Sequence, residues 1–171
     1  MHQRPVLWLE VKHRDGDRSG KERVGIAKRD VPAFLAGGRL GAAPKLDDDA
    51  GDHGMAAVAA LCARFPAPMR ADCLVNYRRL AWQADDGSLR ITLDVDVAFF
   101  APPPTLWTHD RVLLREELGF AVARETSAVV EVKAQGAPPA WLEAVLAGAT
   151  NVPAYSKFVA ASYAVHGPVD G

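Results

Sequence analysis

Cysteine is scarce in this chain: Cys62 and Cys73 are the two among 171 residues. Two are too few for a disulfide framework, and they lack the paired spacing of a zinc or redox motif. A reducing, cytoplasmic compartment is the expectation. Net charge is missing too, since 20 Lys and Arg stand against 21 Asp and Glu and leave a formal charge of -1. The molecule as a whole therefore has no bulk attraction for nucleic acid or an anionic membrane, and a nucleic-acid partner is not expected. Any anion site must come from local arrangement. No apolar run approaches the roughly 18 residues needed to cross a bilayer, and Met1-His2-Gln3-Arg4-Pro5 carries no signal-peptide pattern, so direct membrane insertion is not expected.

Several common site motifs are also absent. The loop from Gly16 to Gly20 holds no Gly-Lys-Ser or Gly-Lys-Thr, so it is not a phosphate loop. Asp47-Asp48-Asp49 with Asp52 lacks the EF-hand spacing and its bidentate glutamate, and reads as a solvated loop. His13, His53, His109 and His166 have no carboxylate or cysteine at ligand spacing. Neither Ser156 nor Ser162 lies in a nucleophile elbow, which removes support for a hydrolase triad.

What is present is period-two alternation in a chain whose size and apolar content suit one globular domain. Residues 5–14 and 21–27 read as strands joined by a loop, and a short helix over 31–36 follows, with Asp30 as its N-cap and Gly37-Gly38 as its stop. Residues 41–54 read as a loop and 55–65 as a small-residue helix ended by Pro66 and Pro68. The clearest hairpin is 74–83 with 89–99 around Asp86-Gly87. Beyond Pro102-Pro103-Pro104, a helix is predicted over 109–118, a strand over 128–134, and helices over 141–147 and 154–165. The four tryptophans sit beside aliphatics and read as core, with the alternative for Trp8, which shares the parity of Glu10, of lining the inside of a barrel.

The tripeptide Glu-Val-Lys occurs twice, as Glu10-Val11-Lys12 and Glu131-Val132-Lys133, each in a predicted strand. Alternate side chains of a strand share a face, so Glu10, Lys12 and Arg14 project together, as do Lys21 with Arg23, Tyr77 with Arg79, Arg90 with Asp94, and Glu131 with Lys133. Each strand thus has an aliphatic face, which helices would cover, and a charged face. The charged faces look at solvent, at a partner, or into the lumen of an antiparallel barrel. An excess of Lys and Arg with a few carboxylates suits phosphates and a hard cation, because Arg binds phosphate oxygens bidentately and a carboxylate ligates magnesium or manganese together with phosphate. The plainer reading is of solvated faces paired across the sheet. Recurrence of the pattern on five strands weighs against it.

Six segments in order resemble the VTC-type polyphosphate polymerase domain of the triphosphate tunnel metalloenzymes, or CYTH-like fold. They are Leu9-Glu10-Val11-Lys12-His13-Arg14, Lys21-Glu22-Arg23-Val24, Tyr77-Arg78-Arg79-Leu80-Ala81-Trp82, Leu89-Arg90-Ile91-Thr92-Leu93-Asp94, Val130-Glu131-Val132-Lys133 with Pro139-Ala140-Trp141-Leu142, and Ser156-Lys157-Phe158. The resemblance covers nearly the whole chain as one domain. It implies an α+β fold: an antiparallel β-barrel forming a triphosphate tunnel, with helices packed outside. It implies a transferase that moves the terminal phosphoryl group of ATP onto a polyphosphate chain with a divalent cation, manganese or magnesium. A non-catalytic polyphosphate- or nucleotide-binding module and a triphosphate hydrolase of the same fold are the alternatives.

Carried over by position, Lys12, Arg14, Lys21, Arg23, Arg79, Arg90, Lys133 and Lys157 would hold phosphates, and Lys12, Arg79, Arg90 and Lys133 would be catalytic. Glu131 would be the principal metal residue, with Glu10 and Asp94 as helpers. Family members begin with further strands upstream of the Leu-Glu-Val-Lys segment. The barrel is therefore expected to be incomplete here, because the gene starts further upstream or because the product is degenerate or completed by a second copy. A membrane-protein partner or a homodimer fits the same expectation.

Overall fold

The structure is a computed structural model that describes residues 6–15, 18–37, 68–108, 111–152 and 155–168. The predicted loop at 41–54 and helix at 55–65 lie outside the described residues. The chain divides into two compact units, Met1–Ala71 with Pro103–Leu114, and Asp72–Pro102 with Arg115–Gly171. The architecture is α+β, and every strand pairing among the described residues is antiparallel.

The first unit is built on a hairpin of β1 (Val6–Asp15) and β2 (Arg18–Ala27). Its register sets Leu7 opposite Ile26 and Leu9 opposite Val24 on one face, and Trp8 opposite Gly25, Glu10 opposite Arg23 and Lys12 opposite Lys21 on the other. A 3₁₀ turn, Lys28–Asp30, runs straight into α1 (Val31–Gly37). Val31 and Phe34 of α1 close over Val24 and Ile26, with Leu7, Leu9, Leu35, Met69 and Trp107 at the margin. The helix covers the aliphatic face, as expected from the alternation. Lys28 is buried, and its ammonium donates to the Arg111 carbonyl oxygen at 2.7 Å, so the desolvated cation is hydrogen-bonded.

That bond bears on a correction. Of the helix predicted over 109–118, residues 109 and 110 lie outside the described residues, 111–114 are irregular, and only a 3₁₀ turn, Arg115–Leu118, forms. In a helix the Arg111 carbonyl would accept from the amide four residues on; here it accepts from the Lys28 ammonium.

In the second unit β4 (Leu89–Phe100) is central. One edge pairs with β3 (Leu74–Gln83), and the other with β5 (Ala123–Arg124) at Ala98 and Phe99 and with β6 (Val129–Ala134) at residues 89–94. The β3–β4 turn forms at Asp86-Gly87, where Gly87 has φ 72° and Asp86 accepts from the Ser88 amide at 2.9 Å. Two helices follow, α2 (Ala140–Leu146) and α3 (Lys157–His166). The last starts at Lys157 because Ser156 caps it, accepting from the Val159 amide, and Gly167 at φ 80° ends it.

The pairing of β3 with β4 is interrupted by a bulge. Between Asn76 and Arg78 β3 advances two residues while β4 advances three, from Ala98 to Val95, and Asp96 within that step has φ 53°. One extra residue reverses the parity of β4. Above it Val97 and Phe99 share a face with Val75 and Tyr77 of β3; below it Asp94, opposite Arg79, and Thr92, opposite Ala81, occupy that same face. Helix α3 packs Ala160, Ala161 and Ala164 onto Val97 and Phe99, together with Val75, Tyr77, Ala123 and Val129. Here the expected division of faces fails: a helix stands on the face that carries the charges. Leu80, Trp82 and Val130, on the face predicted to be covered, are exposed. Of the tryptophans, Trp107 joins a core, while Trp8, Trp82 and Trp141 are exposed.

Candidate functional site

The charged face of the second unit begins where α3 leaves β4. Asp94 is 1% exposed and accepts both Arg79 Nε at 2.6 Å and Arg79 Nη2 at 2.8 Å, while Lys157 Nζ reaches its Oδ2 at 2.7 Å. The bidentate Arg79 contact is the main reason that the Asp94 carboxyl lies below its ordinary range; Lys157 acts in the same direction and burial opposes both. The same bond raises Arg79. The register explains the contact with Arg79, since that residue and Asp94 are cross-strand partners. The cap explains the contact with Lys157, because Ser156 fixes the start of α3 over the strand.

Two aromatic rings frame the cations. The Arg79 guanidinium lies 5.1 Å from the Tyr77 ring centre, and the Lys157 ammonium lies 5.5 Å from Tyr77 and 5.7 Å from Tyr155. Tyr155 donates its hydroxyl proton to Glu125 at 2.5 Å. Burial first, and then the carboxylate, pushes the phenol up from its ordinary value. Tyr155 and Glu125 were not among the site residues expected from sequence. The available signal was an aromatic two residues before Lys157, which becomes informative only once Lys157 is known to turn inward.

The face continues along β4 and β6. Arg90 pairs across the strands with Lys133, and Thr92 with Glu131. Lys133 reaches Glu131 at 3.3 Å, and both are exposed. The Thr92 hydroxyl is buried with no hydrogen-bond partner, alone in this among the side chains of the described residues. Four cations, Arg79, Arg90, Lys133 and Lys157, therefore share a face with two carboxylates, Asp94 and Glu131. The structure brings together six of the residues expected from sequence. The positive excess and the Arg fork give this row the means to hold phosphate oxygens.

The remaining candidates belong to the first unit. Glu10 is bridged by Lys12 at 3.6 Å and Lys21 at 3.7 Å, and Arg23 lies 4.9 Å from the Trp8 ring centre. These side chains are exposed, so the ion pairs hold little geometry by themselves. Arg14 is opposite Ser19 in the hairpin register, and its side chain lies outside the described residues. Among the described residues no group of three His, Cys, Asp or Glu gathers as a ready-made metal centre. His166, at the end of α3, bonds Asp72 at 2.8 Å. Cys73 is free, and burial raises its thiol, with Asp72 adding to the shift.

The model of the VTC domain family matches residues 2–166. The chain belongs to the VTC domain family. No curated protein and no solved structure matches it. Within this VTC domain the six segments expected to carry phosphate chemistry all fall inside the matched span. No helix among the described residues is long and apolar enough to cross a membrane.

Proposed function

We propose that this VTC domain binds polyphosphate through its rows of Lys and Arg and transfers the terminal phosphoryl group of ATP to the chain end. The observation that carries the reading is the arrangement on the second unit's sheet: Arg79 and Lys157 held side by side on a buried carboxylate, with Arg90 and Lys133 further along the same face. In the reaction a terminal oxygen of polyphosphate attacks the γ-phosphorus of ATP. The bond from that phosphorus to the β–γ bridging oxygen breaks, ADP leaves, and the chain gains one phosphate. The acceptor phosphate is its own nucleophile, so the protein's task is positioning and charge neutralisation.

Arg79, Arg90, Lys133 and Lys157 are assigned to phosphate oxygens, with Lys12, Arg14, Lys21 and Arg23 of the first unit as further phosphate contacts. Lys12, Arg79, Arg90 and Lys133 are the catalytic set. A divalent cation, manganese or magnesium, belongs to the same reading. The donor set fits a hard cation that takes one carboxylate and completes its shell with phosphate oxygens and water. Glu131 is exposed, held by one ion pair and opposite the unpartnered Thr92 hydroxyl, so its oxygens are open to such an ion. Bound there, the cation would neutralise charge on the transferring phosphate. Glu10 is the helper carboxylate. The tunnel-forming barrel, a cytoplasmic location where ATP is supplied, and a membrane-protein partner or a homodimer belong to this proposal too.

The test is incubation of the purified chain with ATP and manganese. Long-chain polyphosphate is the expected product. Orthophosphate alone would make the domain a triphosphate hydrolase, and binding without turnover a polyphosphate-binding module. Failure to bind polyphosphate would overturn the reading.

A further inference from the structure

Asp94 is less exposed than any other charged residue on the phosphate face. Its side chain is 1% exposed, against 35% for Arg79 and 18% for Lys157. A ligand arriving from solvent meets the two cations and not the carboxylate between them. The donors that remain can be counted. Guanidinium has five N–H groups, and Asp94 takes the one on Nε and one on Nη2, leaving both on Nη1 and one on Nη2. Those three include the second fork of the guanidinium, which matches two oxygens of a phosphate. The Lys157 ammonium has three N–H groups and gives one to Asp94, leaving two.

We propose that Asp94 is a positioning residue: it holds the second fork of Arg79 and the Lys157 ammonium on one phosphate group and touches neither that phosphate nor a metal ion. This rests on the polyphosphate reading above and deepens it. Lys157 needs such an anchor. It is the first residue of α3, where the helix dipole disfavours a cation, and the buried carboxylate offsets that cost. The rings of Tyr77 and Tyr155 limit its remaining freedom, and the bond from Tyr155 to Glu125 fixes the second ring. A lysine confined on three sides is already ordered before ligand arrives, so less conformational entropy is lost on binding.

Positioning and bulk charge predict opposite signs for one substitution. Asp94→Asn keeps the shape and raises the positive charge of the site by one, so a purely electrostatic view gives tighter anion binding. The positioning role gives weaker binding, because the amide cannot accept from both Arg79 donors and Lys157. The experiment is calorimetric titration of the full chain and of Asp94→Asn with inorganic tripolyphosphate at low ionic strength, with and without manganese. Weakening of at least about tenfold, equal in the two conditions, is expected. Equal or tighter binding by the variant overturns the positioning role. A loss confined to the manganese condition overturns it too, and makes Asp94 a metal ligand. If the parent itself fails to bind tripolyphosphate, the polyphosphate reading and the positioning role fall together.

Should Asp94→Asn not fold, nitrogen NMR on the parent supplies the same decision. The Arg79 Nε–H is expected to stay hydrogen-bonded and slow to exchange when tripolyphosphate and magnesium are added. Its release on addition would overturn the proposal.

Discussion

Deleting Asp96 should cost this protein either its second core or its charged face, because one extra residue keeps both on the same side of β4. With the bulge in place, Val97 and Phe99 pack against α3 while Asp94 meets Arg79 and Lys157 from the same face. Without it the strand alternates strictly, and whichever half keeps its partners, the other half turns away. Val97 and Phe99 are 1% and 4% exposed. Burying such side chains contributes about 1.5–3 kcal/mol each, so losing both costs roughly 3–6 kcal/mol. That is a large share of the roughly 5–15 kcal/mol that holds a domain together.

Two substitutions at the same position separate register from local strain. Asp96→Gly relieves the left-handed backbone but enlarges unfolded-state freedom and removes the exposed pair with Arg78, so its stability should lie within about 1 kcal/mol of the parent. Asp96→Val forces a β-branched residue to positive φ and should lose about 1–3 kcal/mol. Urea unfolding followed by circular dichroism and tryptophan fluorescence reads all three variants. A deletion variant with the parent's midpoint and slope would refute the register argument.

Other perturbations act on single groups. Arg90→Ala removes an exposed cation, so its stability should stay within about 0.5 kcal/mol of the parent, while tripolyphosphate affinity falls by an amount that shrinks as salt is added; unchanged affinity at low ionic strength counts against Arg90 as a phosphate contact. Glu131→Ala should melt like the parent and respond less to manganese in the ATP assay; an undiminished response removes Glu131 from the metal site. The lowered carboxyl of Asp94 gives a pH dependence with a definite sign. Its contribution is fully present above the unfolded-state value, near pH 3.8, and is lost as pH falls through the lower folded value. Acid unfolding below pH 4 should therefore be shallower in a folded Asp94→Asn variant than in the parent, and parallel curves would contradict the pairing. Tyr155 has the opposite sign: its phenol is raised, so its contribution is intact below about pH 10 and lost as pH climbs toward the folded value. Tyr155→Phe should lessen the alkaline fall in stability, which urea midpoints measured from pH 8 upward would check.

Much of this arrangement is written in alternation. The hairpin of residues 74–83 and 89–99 and the strand near 128–134 match β3, β4 and β6 within a residue or so, and the charged parity of Arg90, Asp94, Glu131 and Lys133 is the parity observed. Each inference needed only side-chain period and turn chemistry, both local. The two-residue strand β5 has no such signal, since Ala123 and Arg124 are too few to show a period. From residue 111 onward the predicted helix gives way to an irregular stretch and a short 3₁₀ turn, and there the Arg111 carbonyl bonds Lys28, more than 80 residues away in sequence, a contact that no local pattern signals. Propensity is a weak prior against a buried ammonium that must be satisfied.

The bulge is the harder case, because alternation alone does not show that Asp94 is buried while Asp96 is exposed. Reading residues 89–99 as strictly period-two puts Asp94 and Asp96 on one charged face and Val95, Val97 and Phe99 on the other, which makes Asp94 an open carboxylate available to a cation. The structure inserts the break between the two aspartates: Asp96 is the left-handed residue, exposed and paired with Arg78, while Asp94 is buried. The chain does mark the place, because Asp tolerates positive φ better than the aliphatics around it. What it cannot mark is the consequence, since a shift of parity matters only through what lies opposite on β3 and what α3 brings down onto the face. The lysine that opens α3 then has a physical account. A cation at a helix N-terminus is unfavourable on its own, and it becomes favourable when the strand beneath presents a carboxylate already held by an arginine.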